Sequence, residues 1–340
     1  TIKDVARDAG VSVGTVSNVL NGGRVSESRR KLVEASIEKL GYQVNTLAKG
    51  MRMQKTDYVV VILPNLINPY FALLLDALES ELSAVGKQVL LCLSGDDAER
   101  EVAFMDMAKQ NKVDGIIGVT YSKVEEERIE NMAFVSIDRH YKSHIPCVAG
   151  DNWQGGWLAA ENLHKRGATN LLCFMTMSSV DSEVRKRRVG FTEYCMEHDL
   201  SCNSVEMSEK QIVSVYEAYG SRKLIHNMLR AYISPSMGEH SIDGIFTSSD
   251  HLATIVREEL EEMGKRVPED IQIIGYDGLQ FLNQGKPIVS SIAQPVHEIA
   301  KEAVRCLNEL IANGKTEGNT KIPVSFQEGP TTKTLVTEEK

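Results

Sequence analysis

The stretch TIKDVARDAGVSVGTVSNVL, Thr1 to Leu20, holds two short helical patterns that meet at a glycine. Ile2, Val5, Ala6 and Ala9 share one helical face, and Thr1 with Asp4 has the spacing of a capping box. Gly10-Val11-Ser12 breaks that face. Ser12 is placed to cap a second helix, Val13 to Leu20, with Val16, Val19 and Leu20 inward and Gly14, Thr15, Ser17 and Asn18 outward. A short amphipathic helix, a glycine turn and a second helix with small polar residues outside make a helix-turn-helix pattern suited to a DNA major groove. A helical hairpin in any small bundle has the same spacing and is the competing reading.

Charge distribution favours the first. The chain has 340 residues and net charge −9. Residues 1–55 carry ten Lys and Arg against five Asp and Glu, so this segment is +5 and the remainder is −14. A basic segment on an acidic body is the footprint of a phosphate-binding head joined to an unrelated domain. Val25-Ser26 starts a third helix, capped by Ser26 and running to Leu40, with Val33, Ile37 and Leu40 on one face and Gly41 as its stop. Next, 45–52 has helical spacing but is too short, and holds a glycine, to be stable without a partner.

From Tyr58 the pattern changes. Apolar runs at Val59–Leu63, Val89–Leu93, Gly115–Val119, Phe134–Ile137, Leu171–Phe174, Ile242–Thr247 and Ile271–Tyr276 read as buried strands. Helical patterns lie between them, among them Glu183–His198, Tyr216–Tyr232 and Leu252–Met263. Buried strands alternating with amphipathic helices make parallel α/β sheets. So many strands call for two lobes, with a ligand cleft where the carboxyl ends of the strands face each other. No apolar run of the roughly 18 residues needed to span a bilayer occurs, and no signal peptide is read at the start. Six dispersed cysteines without a C-x-x-C pair read as reduced core residues, and no H-E-x-x-H supports a metal. No cofactor is expected.

The opening K-D-V-A-R-D-A-G-V-S-x-x-T-V-S-N-V-L-N, with the later I-D-R, D-N-x-x-G-G, R-x-x-G-F and I-I-G-Y-D, resembles the lactose/galactose repressor family of bacterial transcription regulators. The likeness runs over essentially the whole chain. It implies an all-α helix-turn-helix head (1–44), a hinge helix and linker (45–57), and a two-lobed α/β body with parallel sheets (58–336), like a type I periplasmic sugar-binding protein. The first lobe would take 58–152 and 290–322, the second 153–289 and 323–336, leaving 337–340 as a tail. It further implies a homodimer acting in the bacterial cytoplasm on double-stranded, palindromic operator DNA. In this resemblance Val13, Gly14 and Asn18 occupy base-reading positions, while Ser12, Thr15, Ser17 and Asn21 lie where phosphate contacts are expected. Leu47, Ala48 and Met51 are carried over as hinge contacts to DNA, with Met51 where relatives place a leucine wedge in the minor groove.

In the body, Tyr70 and Phe71 match a ligand-facing turn, and Asp138 with Arg139 match a carboxylate and guanidinium that bind sugar hydroxyls. Arg187, Asp277 and Gln294 match polar contacts of the sugar site, and Ser249-Asp250 stands where many relatives have Asn-Asp. Planar Arg and Asp groups fork onto adjacent hydroxyls, which suits carbohydrate. Taken singly, each of these groups also reads as a surface or interlobe ion pair. The basic run Arg185-Lys186-Arg187-Arg188 would admit a phosphorylated sugar, although a solvated helix face accounts for three of the four.

The resulting expectation is a DNA-binding regulator, a repressor, controlled by a sugar or sugar phosphate between two lobes. Two alternatives stay open: a regulator of the same family controlled by a partner protein, and an α/β enzyme. Against the enzyme, no G-x-G-x-x-G, P-loop or G-x-S-x-G occurs. Many relatives have Arg where this chain has Asn18, and Asn pairs with adenine where Arg prefers guanine. Replacing Asn18 by Ala is expected to relax selectivity at one base pair by about 1–3 kcal/mol; a base-by-base operator scan with unchanged selectivity would refute this role.

Overall fold

The computed structural model describes residues 1–43, 56–124, 128–129, 132–141, 145–177, 180–216, 222–233, 241–280, 284–316 and 318–335. It divides into two units, 1–56 and 57–340. In the first, α1 (Ile2–Asp8) opens on the capping box of Thr1 and Asp4, and Gly10 turns the chain at φ +65°. The Ser12 hydroxyl accepts from the Thr15 amide at 3.1 Å to start α2 (Val13–Leu20). The third helix, α3 (Glu27–Leu40), stops at Gly41, which takes the left-handed conformation that glycine adopts without strain. Val5, Ala6, Ala9, Val16, Val19 and Val33 form the small shared core.

One expectation fails there: Leu40 is 45% exposed, and Ser36 is buried instead. A core built by helices of seven and eight residues is filled by the middle of α3, leaving its last turn without apolar partners. The expected hinge helix, with Leu47, Ala48 and Met51, lies outside the described residues, as does the 337–340 tail.

The second unit holds two six-stranded sheets. The first combines β1 (Tyr58–Leu63), β2 (Gln88–Leu93), β3 (Gly115–Val119), β4 (Phe134–Ile137), β5 (Cys147–Gly150) and β11 (Thr320–Ile322), in the order β11-β5-β4-β3-β1-β2. The second combines β6 (Asn170–Met177), β7 (Ser201–Ser208), β8 (Gly244–Thr247), β9 (Gln272–Asp277), β10 (Ser290–Ala293) and β12 (Ser325–Gln327), in the order β12-β10-β9-β8-β6-β7. Only the β10–β12 pairing is antiparallel among the described strands. Strands such as β1 and β3 are apolar on both faces because helices cover both sides of a parallel sheet. Helices α4 (Pro69–Ala84) and α11 (Val296–Asn313) pack together on one side of the first sheet, and α5 (Ala98–Gln110) lies on the other.

The chain passes between the lobes after β5, after β10 and after β11. The expected boundary at 290 therefore needs correction. Residues 290–293 pair with β9 in the second lobe, Ser290 opposite Ile274, so the crossing falls at Gln294-Pro295. A short Ser-Ser-Ile-Ala strand has too little apolar pattern to announce its sheet. Strands β5, β7, β11 and β12 were also missing from the sequence reading: three are short, and β7 (SCNSVEMS) is a polar edge strand. The single helix expected over Tyr216–Tyr232 is two, α8 (Glu209–Tyr216) and α9 (Lys223–Ile233). The segment expected as one helix from Glu183 starts as a 3-10 turn, Glu183–Arg185, before α7 (Lys186–Glu197). The helix expected at Leu252–Met263 is α10 (Asp250–Glu262).

Helix α6 (Asn152–Lys165) crosses α7 at backbone distance. A Cβ on Gly156 would sit 1.8 Å from the Arg187 carbonyl oxygen, and one on Gly190 would sit 2.0 Å from that of Trp153. Neither backbone atom can yield cheaply in a packed interior. This crossing sets Asn152 beside Arg187. Gly156→Ala is expected to destabilise the fold by about 3 kcal/mol, read as a lowered thermal midpoint; an unchanged midpoint would show that the helices separate freely.

Candidate functional site

The carboxyl ends of both sheets border a cleft of about 780 Å³. From the first lobe, Asn68 caps α4 by accepting from the Tyr70 amide at 3.1 Å, which puts Tyr70 and Phe71 on the first turn facing the cleft. Asp138 follows β4 directly and sits at φ +60°. From the second lobe, Arg187 projects from the first turn of α7, Ser249 caps α10 and Asp277 ends β9 at φ +118°. Positive φ at two aspartates that border one cleft is local strain concentrated where a site would use it. Gln294 stands on the crossing between the lobes.

A buried polar chain ties these residues together. Arg187 Nε donates to Asn152 Oδ1 at 2.6 Å, and Asn152 Nδ2 donates to Asp138 Oδ1 at 3.3 Å and to the Gly150 carbonyl at 2.9 Å. Arg187 Nη1 donates to the Ser248 carbonyl at 2.7 Å. Its guanidinium carbon lies 3.5 Å from the centre of the Tyr276 ring, a cation–π contact. On the other wall, Gln294 Nε2 donates to Asp277 Oδ1 at 2.9 Å, and its Oε1 accepts from the Tyr70 hydroxyl at 3.4 Å. Asp277 Oδ2 is buried with no protein partner, an acceptor aimed at whatever fills the site.

Burial sets the charge state. It pushes Asp138 up to about 6, against the pull of Arg187, and Asp277 up to about 7, again against Arg187. Asp96, at the cleft edge, is raised by burial to about 6. Burial also raises Asp250 well above the ordinary carboxyl range; it accepts from Ser291 Oγ at 2.6 Å and from the Leu279 amide at 2.7 Å, stapling α10 to the loop after β9. Burial works against the Arg187 charge, but Tyr276, Asp277 and Asp138 raise it on balance.

Of the eight ligand-site residues expected from sequence, Tyr70, Phe71, Asp138, Arg187, Ser249, Asp277 and Gln294 line this cleft, and Arg139 does not. Arg139 Nη1 donates to the Ser122 carbonyl at 2.6 Å and to Thr120 Oγ1 at 3.3 Å, and its guanidinium stacks on Tyr141. Consecutive residues leaving a strand point to opposite sides, so Asp138 and Arg139 cannot both face the cleft. Ser249 spends its oxygen on the cap, accepting from the Leu252 amide at 3.1 Å. Of the basic run only Arg187 reaches the cleft, while Lys186 pairs with Glu183 and Arg188 with Glu206 at 2.5 Å. Asn152, wholly buried, carried no role in the sequence reading; its signal was a helix start immediately after a strand, within the D-N-x-x-G-G motif.

In the head, α2 buries Val16 and Val19 and leaves Val13, Gly14 and Asn18 exposed. The Ser12 and Thr15 hydroxyls are 2.9 Å apart, and Asn21 Nδ2 donates to Ser17 Oγ at 3.3 Å. Among the described residues no cluster of three or more His, Cys, Asp or Glu could hold a metal ion, and no helix is long and apolar enough to cross a membrane.

Residues 1–45 match the model of bacterial regulatory proteins of the lacI family, and residues 160–332 match that of a periplasmic binding protein-like domain. The chain is 33% identical over 332 residues to the sucrose operon repressor of Pediococcus pentosaceus, covering 96% of this chain and 98% of that protein. It is 26% identical, with a TM-score of 0.69, to a periplasmic binding protein/LacI transcriptional regulator from Alkaliphilus metalliredigens QYMF solved with D-xylulofuranose, covering 82% of this chain and 100% of that one. The fold is also that of the lac repressor dimer bound to operator and an anti-inducer, at a TM-score of 0.79 and 22% identity over 97% of this chain and 98% of that one. These matches set aside the enzyme reading. With the head matched to one model, the second lobe to the other, and a curated repressor aligned nearly end to end, the chain belongs to the lacI family of transcriptional regulators.

Proposed function

We propose that this regulator represses transcription and is controlled by a neutral sugar bound in the interlobe cleft. The observation that carries the reading is the convergence of Asp138, Asn152, Arg187, Asp277 and Gln294 beside Tyr70 and Phe71. Fixed donors and acceptors from both lobes match the alternating hydroxyls of a sugar, and an aromatic wall matches its apolar face. The chain's relatives include a ribose operon repressor of Halalkalibacterium halodurans, 32% identical over 309 residues, which supports a pentose-sized ligand class.

The electrostatics argue for a neutral sugar over a phosphorylated one. One guanidinium faces three carboxyl groups raised to about 6 or 7, and the other cations of the basic run do not line the cleft. A phosphate dianion there would meet carboxylates with too little positive charge to offset its desolvation. Ligand would act by biasing the angle between lobes, and DNA would bias the same equilibrium from the other side.

On the DNA side, Val13, Gly14 and Asn18 read bases, and Ser12, Thr15, Ser17 and Asn21 contact phosphates. Leu47, Ala48 and Met51 engage the minor groove. A homodimer in the cytoplasm, on a palindromic operator, gives the two heads the affinity one short recognition helix lacks.

Titrating the protein with neutral pentoses, hexoses, disaccharides and their phosphates should raise its thermal midpoint with one neutral sugar and not with its phosphate. Arg187→Ala should abolish that rise. A rise with the phosphate alone would overturn the neutral-sugar reading, and no rise with any compound would overturn the sugar reading.

The raised carboxyls also predict a pH signature. Between the ordinary unfolded value of about 4 and about 7, the folded protein holds protons on Asp138 and Asp277 that the unfolded chain has released, so stability falls as pH rises through that window. Asp277→Asn should therefore gain in urea midpoint relative to the unmodified protein as pH is raised from about 5 to about 8. A constant offset across that range would show that Asp277 is ionised throughout.

A further inference from the structure

Three cysteines gather at one edge of the second lobe. Cys173 lies on β6, Cys195 on α7 and Cys202 on β7, within one apolar cluster. β7 is the edge strand of its sheet, and Cys202 stands opposite Leu171 in it. The chain turns tightly between α7 and β7, the Leu200 amide donating to the Cys195 carbonyl at 2.9 Å. This turn brings the Cys195 and Cys202 thiols into hydrogen-bond contact. Cys173 and Cys195 are buried, whereas Cys202 is partly exposed, so a small solute meets Cys202 first. The cluster forms no metal site among the described residues, and none of the three lines the sugar cleft.

We propose that Cys195 and Cys202 are a peroxide-oxidisable thiol pair, with Cys202 as the sulfur that attacks a hydroperoxide and Cys195 as the resolving thiol. Two features of the geometry assign the roles. The exposed partner is the one a peroxide reaches, and the buried partner lies next to it, where no second oxidant molecule is needed. The hydrogen bond from Cys195 also draws the Cys202 thiol below its ordinary value, against the effect of burial, and the same bond together with burial pushes Cys195 up.

In the first step the Cys202 thiolate attacks one oxygen of hydrogen peroxide. An S–O bond forms, the O–O bond breaks, and the leaving hydroxide takes a proton to become water, leaving a sulfenic acid. In the second step the Cys195 sulfur attacks that of Cys202. The S–S bond forms, the S–O bond breaks, and hydroxide leaves with the Cys195 proton as a second water. Two thiols are oxidised and one peroxide is reduced. The disulfide ties α7, the helix that carries Arg187, to the edge strand, and thiol reductants reverse it.

The test uses the whole protein, hydrogen peroxide as the probe, alkylation of the remaining thiols and trypsin. The tryptic peptide 189–210 contains Cys195 and Cys202 and no other cysteine. After peroxide it is expected to resist alkylation until a reductant is added, while the other four cysteines of the six stay alkylatable. Cys195→Ser should leave a sulfenic acid on Cys202 that dimedone captures. Cys202→Ser, at a partly exposed edge position, should leave Cys195 alkylatable after peroxide. A folded protein whose peptide 189–210 takes two alkyl groups both before and after peroxide overturns the pair. Equal dimedone capture at Cys195 and at Cys202 in the two single variants overturns the assigned roles.

Discussion

The body depends on how a single buried guanidinium is held. Arg187 is 5% exposed, and a charge so placed is tolerable only when its donors are spoken for and opposite charge is near. Asn152 and the Ser248 carbonyl take two of its donors, the Tyr276 ring lies across its face, and Asp138 answers it through Asn152 from the opposite lobe. Gly156 and Gly190 make this arrangement possible, because only backbone-close helices put residues 152 and 187 within a hydrogen bond of each other. Packing at the glycines, electrostatics at the arginine and contact between the lobes are thus one constraint seen at three places.

That constraint explains why the carboxyl groups of the cleft sit high. With one cation shared among Asp96, Asp138 and Asp277, burial outweighs attraction, and the groups are near the point of gaining or losing a proton in the physiological range. A site in that condition is poised for hydroxyl groups, which donate to a carboxylate and accept from a carboxylic acid. The unpartnered Asp277 Oδ2 is the clearest vacancy for such a bond.

The head solves a different problem with less material. Its few apolar side chains exclude Leu40 and leave α2 supported along one face only, by Val16 and Val19. The other face is free of the core, so its residues can differ without cost to the fold. Gly14 and Asn18 are choices about the outer surface and carry no packing duty, which is why they were readable as candidate contacts from helical spacing alone.

Sequence by itself determined the elements whose physics is local. The capping box at Thr1, the glycine turn at Gly10, the Ser12 cap, the stop at Gly41 and the apolar runs of β1, β3, β4 and β9 each follow from a few neighbouring residues. Motif resemblance added seven of the residues that line the cleft. Tertiary structure alone decided the rest. Short or polar strands such as β10 and β7 owe their places to partners far along the chain, so they leave little trace in local pattern. Arg139 and Asn152 exchanged the roles their positions suggested, because the direction of a side chain at a strand end depends on a backbone angle and on which distant donor or acceptor is already waiting there.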